Sequence, residues 1–312
     1  MNAPRYSPRW LALREEADAS ARSADLLDPL RAHLTSQRPP ADRRTSEHSP
    51  TDRRTDARSP ADRRTDTRSP ADRLVIRDLG CGTGAMGRWL AARLPGPQHW
   101  ILHDRDPDLL ARAAAGVRGP AGDGGPVTAE AEQGDVTRLR AGDLDGTSLV
   151  TASALLDLLT ADEVDAIADA CVKARRPALL TLSVVGRVEL DPADPLDAEI
   201  ATAFDAHQRR VTDGRRLLGP DASAFAAAAF ARRGAVVLSR PSPWRLGADQ
   251  RALTAEWLRG WVGAACEQRP DLAPEGRAYL RRRLDACAAS ALRVVVGHDD
   301  LLALPAPATG AC

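Results

Sequence analysis

Leu74-Val75-Ile76-Arg77 runs into Asp78, and Gly80, Gly82 and Gly84 follow at alternate positions. Glycines so placed remove the Cβ atoms that would hold a ligand off the backbone, and they permit the φ values of a tight turn. A strand, a turn and a helix start over residues 85–90 are the local structure expected. Gly80, Gly82 and Ala85 also fit the spacing of a dinucleotide loop. An acid two residues before the first glycine would repel a pyrophosphate, however, and suits a cationic group held over the turn. Further on, Trp100-Ile101-Leu102-His103 ends in Asp104, a carboxylate able to accept both hydroxyl protons of a ribose. A weak strand over residues 127–133 then ends in Gly134-Asp135. Gly-Asp alone is a common turn. As the third acid ending a third consecutive strand it falls where open α/β sheets hold their ligands.

The run Asp78-Leu79-Gly80-Cys81-Gly82-Thr83-Gly84 resembles motif I of the class I S-adenosylmethionine (SAM) dependent methyltransferases. The resemblance implies that this turn, Cys81 included, holds the aminoacid part of the cofactor S-adenosyl-L-methionine. Asp104-Arg105-Asp106-Pro107 is similar to the D-x-x-P after the second strand of that superfamily, which places Asp104 at the ribose with Arg105 beside it. Asp106, before Pro107, reads as a helix cap. Gly134-Asp135-Val136 resembles the adenine-binding motif, with the Asp135 carboxylate receiving the exocyclic amine and the Val136 N–H meeting a ring nitrogen. Ser153, after the fourth strand, completes the implied cofactor set. The resemblance covers about residues 74–300. Two other classes compete with it: an NAD(P)-dependent oxidoreductase on a Rossmann fold, and a non-catalytic protein that keeps the fold as an interaction platform.

Methyltransferases that act on the amino groups of nucleic-acid bases carry Asn-Pro-Pro-Tyr or a relative after the fourth strand, a clamp for the flipped base. This chain has Ser153-Ala154-Leu155-Leu156-Asp157 there. Lys plus Arg and Asp plus Glu both number 43, a net charge of zero that lacks the footprint of a nucleic-acid grip. A small-metabolite acceptor, methylated on oxygen or nitrogen, is therefore expected, with neither nucleic acid nor membrane as partner. A sulfonium methyl is already activated, so aligning it with the acceptor in a dry cavity supplies most of the acceleration, and a base is optional. His207 is the first candidate base, a polar residue on the stripe Leu196, Ile200, Phe204, Val211 of a helix over 195–211. Its unperturbed pKa of ~6.5 suits neutral pH. Asp157 is the second, although it equally suits a cap for the helix that Thr160-Ala161-Asp162-Glu163 begins with a capping box. Arg187, Arg210 and Trp244 are candidates for orienting the acceptor, with a core or loop anchor as the plain alternative for Trp244.

These residues need a scaffold. Residues 74–304 are expected to form a Rossmann-like, doubly wound, mostly parallel seven-stranded sheet with an antiparallel last strand. Its later strands are expected at 148–152, 178–185, 235–238 and 292–296, with the chain leaving the sheet at Gly186 and a pair of helices before the last strand. Residues 1–36 read as N-terminal helices, opened by Ser7-Pro8 and apolar through Trp10, Leu13 and Ala17 and then Leu26, Leu27, Leu30 and Leu34. They either cover the sheet edge or form part of a lid. Between them lies a decapeptide repeat built on Pro-Ala/Thr-Asp-Arg-Arg-Thr, and residues 40–73 hold no Leu, Ile, Val, Phe, Tyr or Trp. Such a segment cannot offset its ordering entropy by burial, so 37–73 is expected to be a disordered linker, and 305–312 a fraying tail. The five cysteines are widely spaced with no C-x-x-C pair, so no metal or disulfide framework is expected. With no signal-type apolar segment either, the expected setting is the cytoplasm.

Overall fold

A computed structural model describes residues 7–37 and 73–306; the decapeptide repeat, and with it the expected linker, lies outside the described residues. Five strands run parallel at the centre of the fold: β1 (Leu74–Leu79), β2 (Gln98–Asp104), β3 (Val127–Gln133), β4 (Leu149–Ser153) and β5 (Ala178–Asp191). A small hairpin, β6 (Val211–Thr212) and β7 (Arg215–Arg216), stands apart. β8 (Val236–Pro241), β9 (Trp244–Leu246) and β10 (Arg293–Leu304) complete the main sheet, whose order is β3-β2-β1-β4-β5-β10-β8 with β9 also on β10. β10 is antiparallel to β5, β8 and β9. This is the Rossmann-like, doubly wound arrangement, with its order reversing between β1 and β4, the crevice where such sheets bind ligands.

The helices are α1 (Pro8–Ala21), α2 (Leu27–Ser36), α3 (Ala85–Ala91), α4 (Pro107–Gly116), α5 (Ala161–Lys173), α6 (Asp197–Gln208), α7 (Ala222–Arg232), α8 (Arg251–Gln268) and α9 (Ala273–Ala288). Side chains alternate along a strand, so neighbours in an apolar run must enter opposite layers. Leu149, Leu179 and Leu302 pack with Leu30 of α2, Leu90 of α3 and Leu110 of α4. Their neighbours Val150, Leu180 and Leu301 pack with Ile167 of α5 and Phe230 of α7. A third cluster joins α6, α8 and α9 to Trp244 and Leu246 of β9. The local signals hold: Ser7 Oγ accepts from the Trp10 N–H at 3.1 Å, and Thr160 and Glu163 form a reciprocal capping box.

Three expectations need correction. β9 is an eighth strand in the main sheet, where only a loop behind the sixth was expected. β5 does not leave the sheet at Gly186 but continues to Asp191 against β10. β10 begins at Arg293 and runs on to Leu304, well past Val296. The polar triplet His298-Asp299-Asp300 hides this continuation, because it breaks the apolar pattern inside a buried strand. The Asp300 carboxylate is satisfied there by three donors: the Leu182 N–H at 2.8 Å, the Ser242 hydroxyl at 2.6 Å and the Ser23 N–H at 2.8 Å. Leu182 meets it by adopting φ 57, a left-handed kink within β5. Among the described residues no helix is long and apolar enough to cross a membrane, and no His, Cys, Asp and Glu group could hold a metal ion.

Candidate functional site

The carboxyl ends of β1, β2, β3 and β4 open into a cavity of about 370 Å³. Asp78, Gly80, Cys81, Gly82, Asp104, Arg105, Asp135, Val136 and Ser153 all line it. Gly80 and Gly82 turn the chain with φ of 60 and 54, and a Cβ on Gly80 would press into Leu155 at 2.9 Å. Gly84 does not line the cavity. Its φ is 83, and a Cβ there would meet Val117 Cγ2 at 2.8 Å, so this glycine serves the packing of α3 on α4, which corrects its assignment to the cofactor.

The acids are held before any ligand arrives. Asp104 accepts the Gly82 N–H at 2.9 Å through one oxygen and the Asp106 N–H at 3.0 Å through the other, which ties β2 to the glycine turn. Each carboxylate oxygen keeps a second lone pair, the capacity a ribose diol requires. Asp135 Oδ1 accepts the Thr137 N–H at 3.0 Å and hydroxyl at 2.8 Å. His103, next to Asp104, also lines the cavity; its Nδ1 is buried without a partner, and burial lowers its pKa.

Two buried charges in this cavity are only partly satisfied. Asp78 is 0% exposed, and its Oδ1 accepts the Thr151 hydroxyl at 2.7 Å while Oδ2 has no partner. Burial pushes its pKa up to about 7, against the pull of the Thr151 hydrogen bond and of Arg22. Arg22, at the end of α1, is 5% exposed; its Nη2 donates to Ser153 Oγ at 3.1 Å, and Nε and Nη1 have no acceptor. Leaving a buried charged donor or acceptor unmade costs more than an ordinary hydrogen bond returns, so the pair awaits a ligand with both signs. An α-amino acid zwitterion supplies them, its ammonium for Asp78 Oδ2 and its carboxylate for Arg22. The residues present therefore fit the aminoacid end of S-adenosyl-L-methionine.

A second cavity, of about 160 Å³, adjoins the first, and Arg14 and Ala154 line both. Ala154 is a non-glycine residue with φ 50, and its N–H donates to the Thr181 carbonyl at 2.9 Å. Asp157, Arg187 and Trp244 line this second cavity, whereas Arg210 lines the first. Trp244 is anchored as well as exposed to the cavity: its Nε1–H donates to Asp18 Oδ1 at 3.0 Å, and the Arg14 guanidinium lies 4.9 Å from its ring centre. His207 lines neither cavity, which corrects its choice as first candidate base. Its Nε2 sits 3.2 Å from Glu267 Oε2, joining α6 to α8, and burial lowers its pKa. The stripe it was read with also ends early, since α6 stops at Gln208 and Val211 is exposed.

The sequence left open whether the N-terminal helices cover the sheet edge or form part of a lid, and named none of their residues for the site. Leu11, Arg14, Asp18 and Arg22 all line the first cavity, so α1 and its C-terminal end border the site. The signal was present: charged residues spaced by four beside the apolar face of Trp10, Leu13 and Ala17.

Residues 76–178 match the family model for a methyltransferase domain. No curated protein matches the chain. A SAM-dependent methyltransferase from Geobacter sulfurreducens, solved with S-adenosyl-L-homocysteine, is similar at 16% identity over 95% of this chain and 98% of its own, with a TM-score of 0.40. The cyclopropane synthase MmaA2 from Mycobacterium tuberculosis is similar at 14% identity over 74% of this chain and 78% of its own, with a TM-score of 0.39.

Proposed function

We propose that this chain, a SAM-dependent methyltransferase of the class I superfamily, moves the sulfonium methyl to an oxygen or nitrogen of a small metabolite. The observation that supports the small acceptor is the second cavity, about 160 Å³ and joined to the donor cavity at Ala154. The zero net charge and the missing base clamp after β4 point the same way.

In this reading Asp78 and Arg22 hold the ammonium and carboxylate of the cofactor, Asp104 its ribose and Asp135 with Val136 its adenine. Cys81, Gly80 and Gly82 give the backbone its close approach, and Ser153 holds Arg22. Bound there, the cofactor supplies an electrophilic methyl group. The protein's part is to hold the acceptor in line and to exclude water, which effective-molarity arguments make the larger share of the acceleration. Asp157 is the base candidate that the geometry favours, since it lines the second cavity and burial raises its pKa. Arg187 and Trp244 orient the acceptor, and Arg210 closes the donor side.

A metabolite extract incubated with the protein and deuteromethyl-SAM tests this reading by mass spectrometry. The expected result is one or a few small molecules gaining a labelled methyl. Label found only in RNA or protein fractions would exclude a small acceptor.

A further inference from the structure

Resting on that methyltransferase reading, we infer that the acceptor is a small amine, bound as its ammonium between Asp157 and Asp205 within a wall of indoles and methylated on nitrogen. Asp205 of α6 entered none of the sequence readings, yet it lines the second cavity with Asp157. A Cβ on Gly186 would collide with its carboxylate, and Gly186 has φ 70, so the backbone of β5 makes room for the acid.

Neither carboxylate has a salt bridge among the described residues; of the cations around them Arg14, Arg209 and Arg210 bond elsewhere, and Arg187 lines the same cavity near Asp299. Arg14, near Asp157, donates to Asp18 at 2.9 Å. Arg210, also near Asp157, donates to the His207 carbonyl oxygen at 3.0 Å. Arg209, near Asp205, binds Asp221 through two hydrogen bonds of 2.6 and 2.8 Å. Each of the two acids thus lacks an ion pair, a place that an arriving ammonium would take. Its walls include Trp10, Trp244, Trp257 and Trp261, with Trp257 and Trp261 stacked at 5.0 Å, and indole faces attract an ammonium. Trp261 is 1% exposed and its Nε1–H has no acceptor, an independent sign that a ligand atom completes this wall. An oxygen or ring nitrogen on the amine would accept that bond.

The proton balance also favours an amine. An ammonium has no lone pair, so it must lose a proton before it reacts. Burial pushes the Asp205 carboxyl up to about 6, which brings it near the working pH, and also raises Asp157. His298 lines the same cavity, but burial holds it down at about 3, too low to take the proton. A carboxylate takes the proton, the freed nitrogen lone pair forms the N–C bond, and the breaking S–C pair stays on sulfur. The methylated amine leaves as its ammonium, and the carboxylic acid returns its proton to water.

Tryptophan fluorescence of the full chain with saturating S-adenosylhomocysteine, titrated with benzylamine, benzyl alcohol and benzoate, tests this. Benzylamine should bind about tenfold or more tighter than the alcohol, with benzoate weakest. Asp157→Asn and Asp205→Asn should each weaken benzylamine about tenfold while leaving the alcohol and S-adenosylhomocysteine unchanged. Binding of benzoate or the alcohol as tight as the amine, no amine binding, or equal losses for amine and alcohol in both variants would overturn the inference. Failure of S-adenosylhomocysteine to bind would strike the underlying methyltransferase reading instead.

Discussion

At the scale of single residues the site is a pair of opposite buried charges that the fold leaves half-satisfied. Arg22→Ala should remove a charge-assisted contact to the cofactor carboxylate, about 1.5–3 kcal/mol or roughly ten- to a hundredfold in Kd for S-adenosylhomocysteine by calorimetry. Arg22→Lys keeps the charge without the fork and should fall between; wild-type affinity in Arg22→Ala would take Arg22 out of the site. Asp78 makes a pH prediction, because burial raises its carboxyl from 3.8 to about 7. A raised folded value means that the neutral acid favours the fold below the unfolded pKa, and that this contribution fades as pH rises through about 7. A ligand ammonium favours the ionised form. Below pH 7, then, S-adenosylhomocysteine should bind with release of a proton, read from the buffer dependence of the binding enthalpy. Affinity should rise with pH and level off above it. Asp78→Asn should abolish both effects, and binding without proton release at pH 6 in the wild type would contradict the assignment.

At the scale of elements, the central strands and glycine turn were legible because their apolar alternation and turn residues agree with their tertiary surroundings. Leu74–Leu79 and Val127–Gln133 stand where the pattern put them. The long antiparallel pair was not legible, since a buried Asp300 with three donors from distant segments looks, in one dimension, like a loop acid. The place of α1 was half legible: its apolar stripe shows burial, while Arg22 reaches a partner, Ser153, 131 residues away. His207 misled for the same reason, as its partner Glu267 belongs to α8 rather than to a substrate. Asp300→Ala should strand the donors of Ser23, Leu182 and Ser242, at about 1–3 kcal/mol for each group left unsatisfied. A clear drop in the urea midpoint is the expected outcome, and an unchanged midpoint would mean that water replaces the carboxylate.

For the whole molecule, the reading of residues 37–73 as a linker predicts that trypsin cuts first at its arginines and leaves a resistant fragment over 74–304. Earlier cutting inside 74–304 would argue against that division. Both cavities belong to one reaction only if they face each other across Ala154, the donor side built from β1 to β4 with α1 and the acceptor side from β5, α6, α8 and β10. A crystal structure of the full chain with S-adenosylhomocysteine tests this most directly. It should place the ligand ammonium against Asp78 Oδ2, the carboxylate against Arg22 Nε and Nη1, and the sulfur toward Ala154 and the second cavity. A ligand whose carboxylate avoids Arg22, or whose sulfur faces away from that cavity, would contradict it.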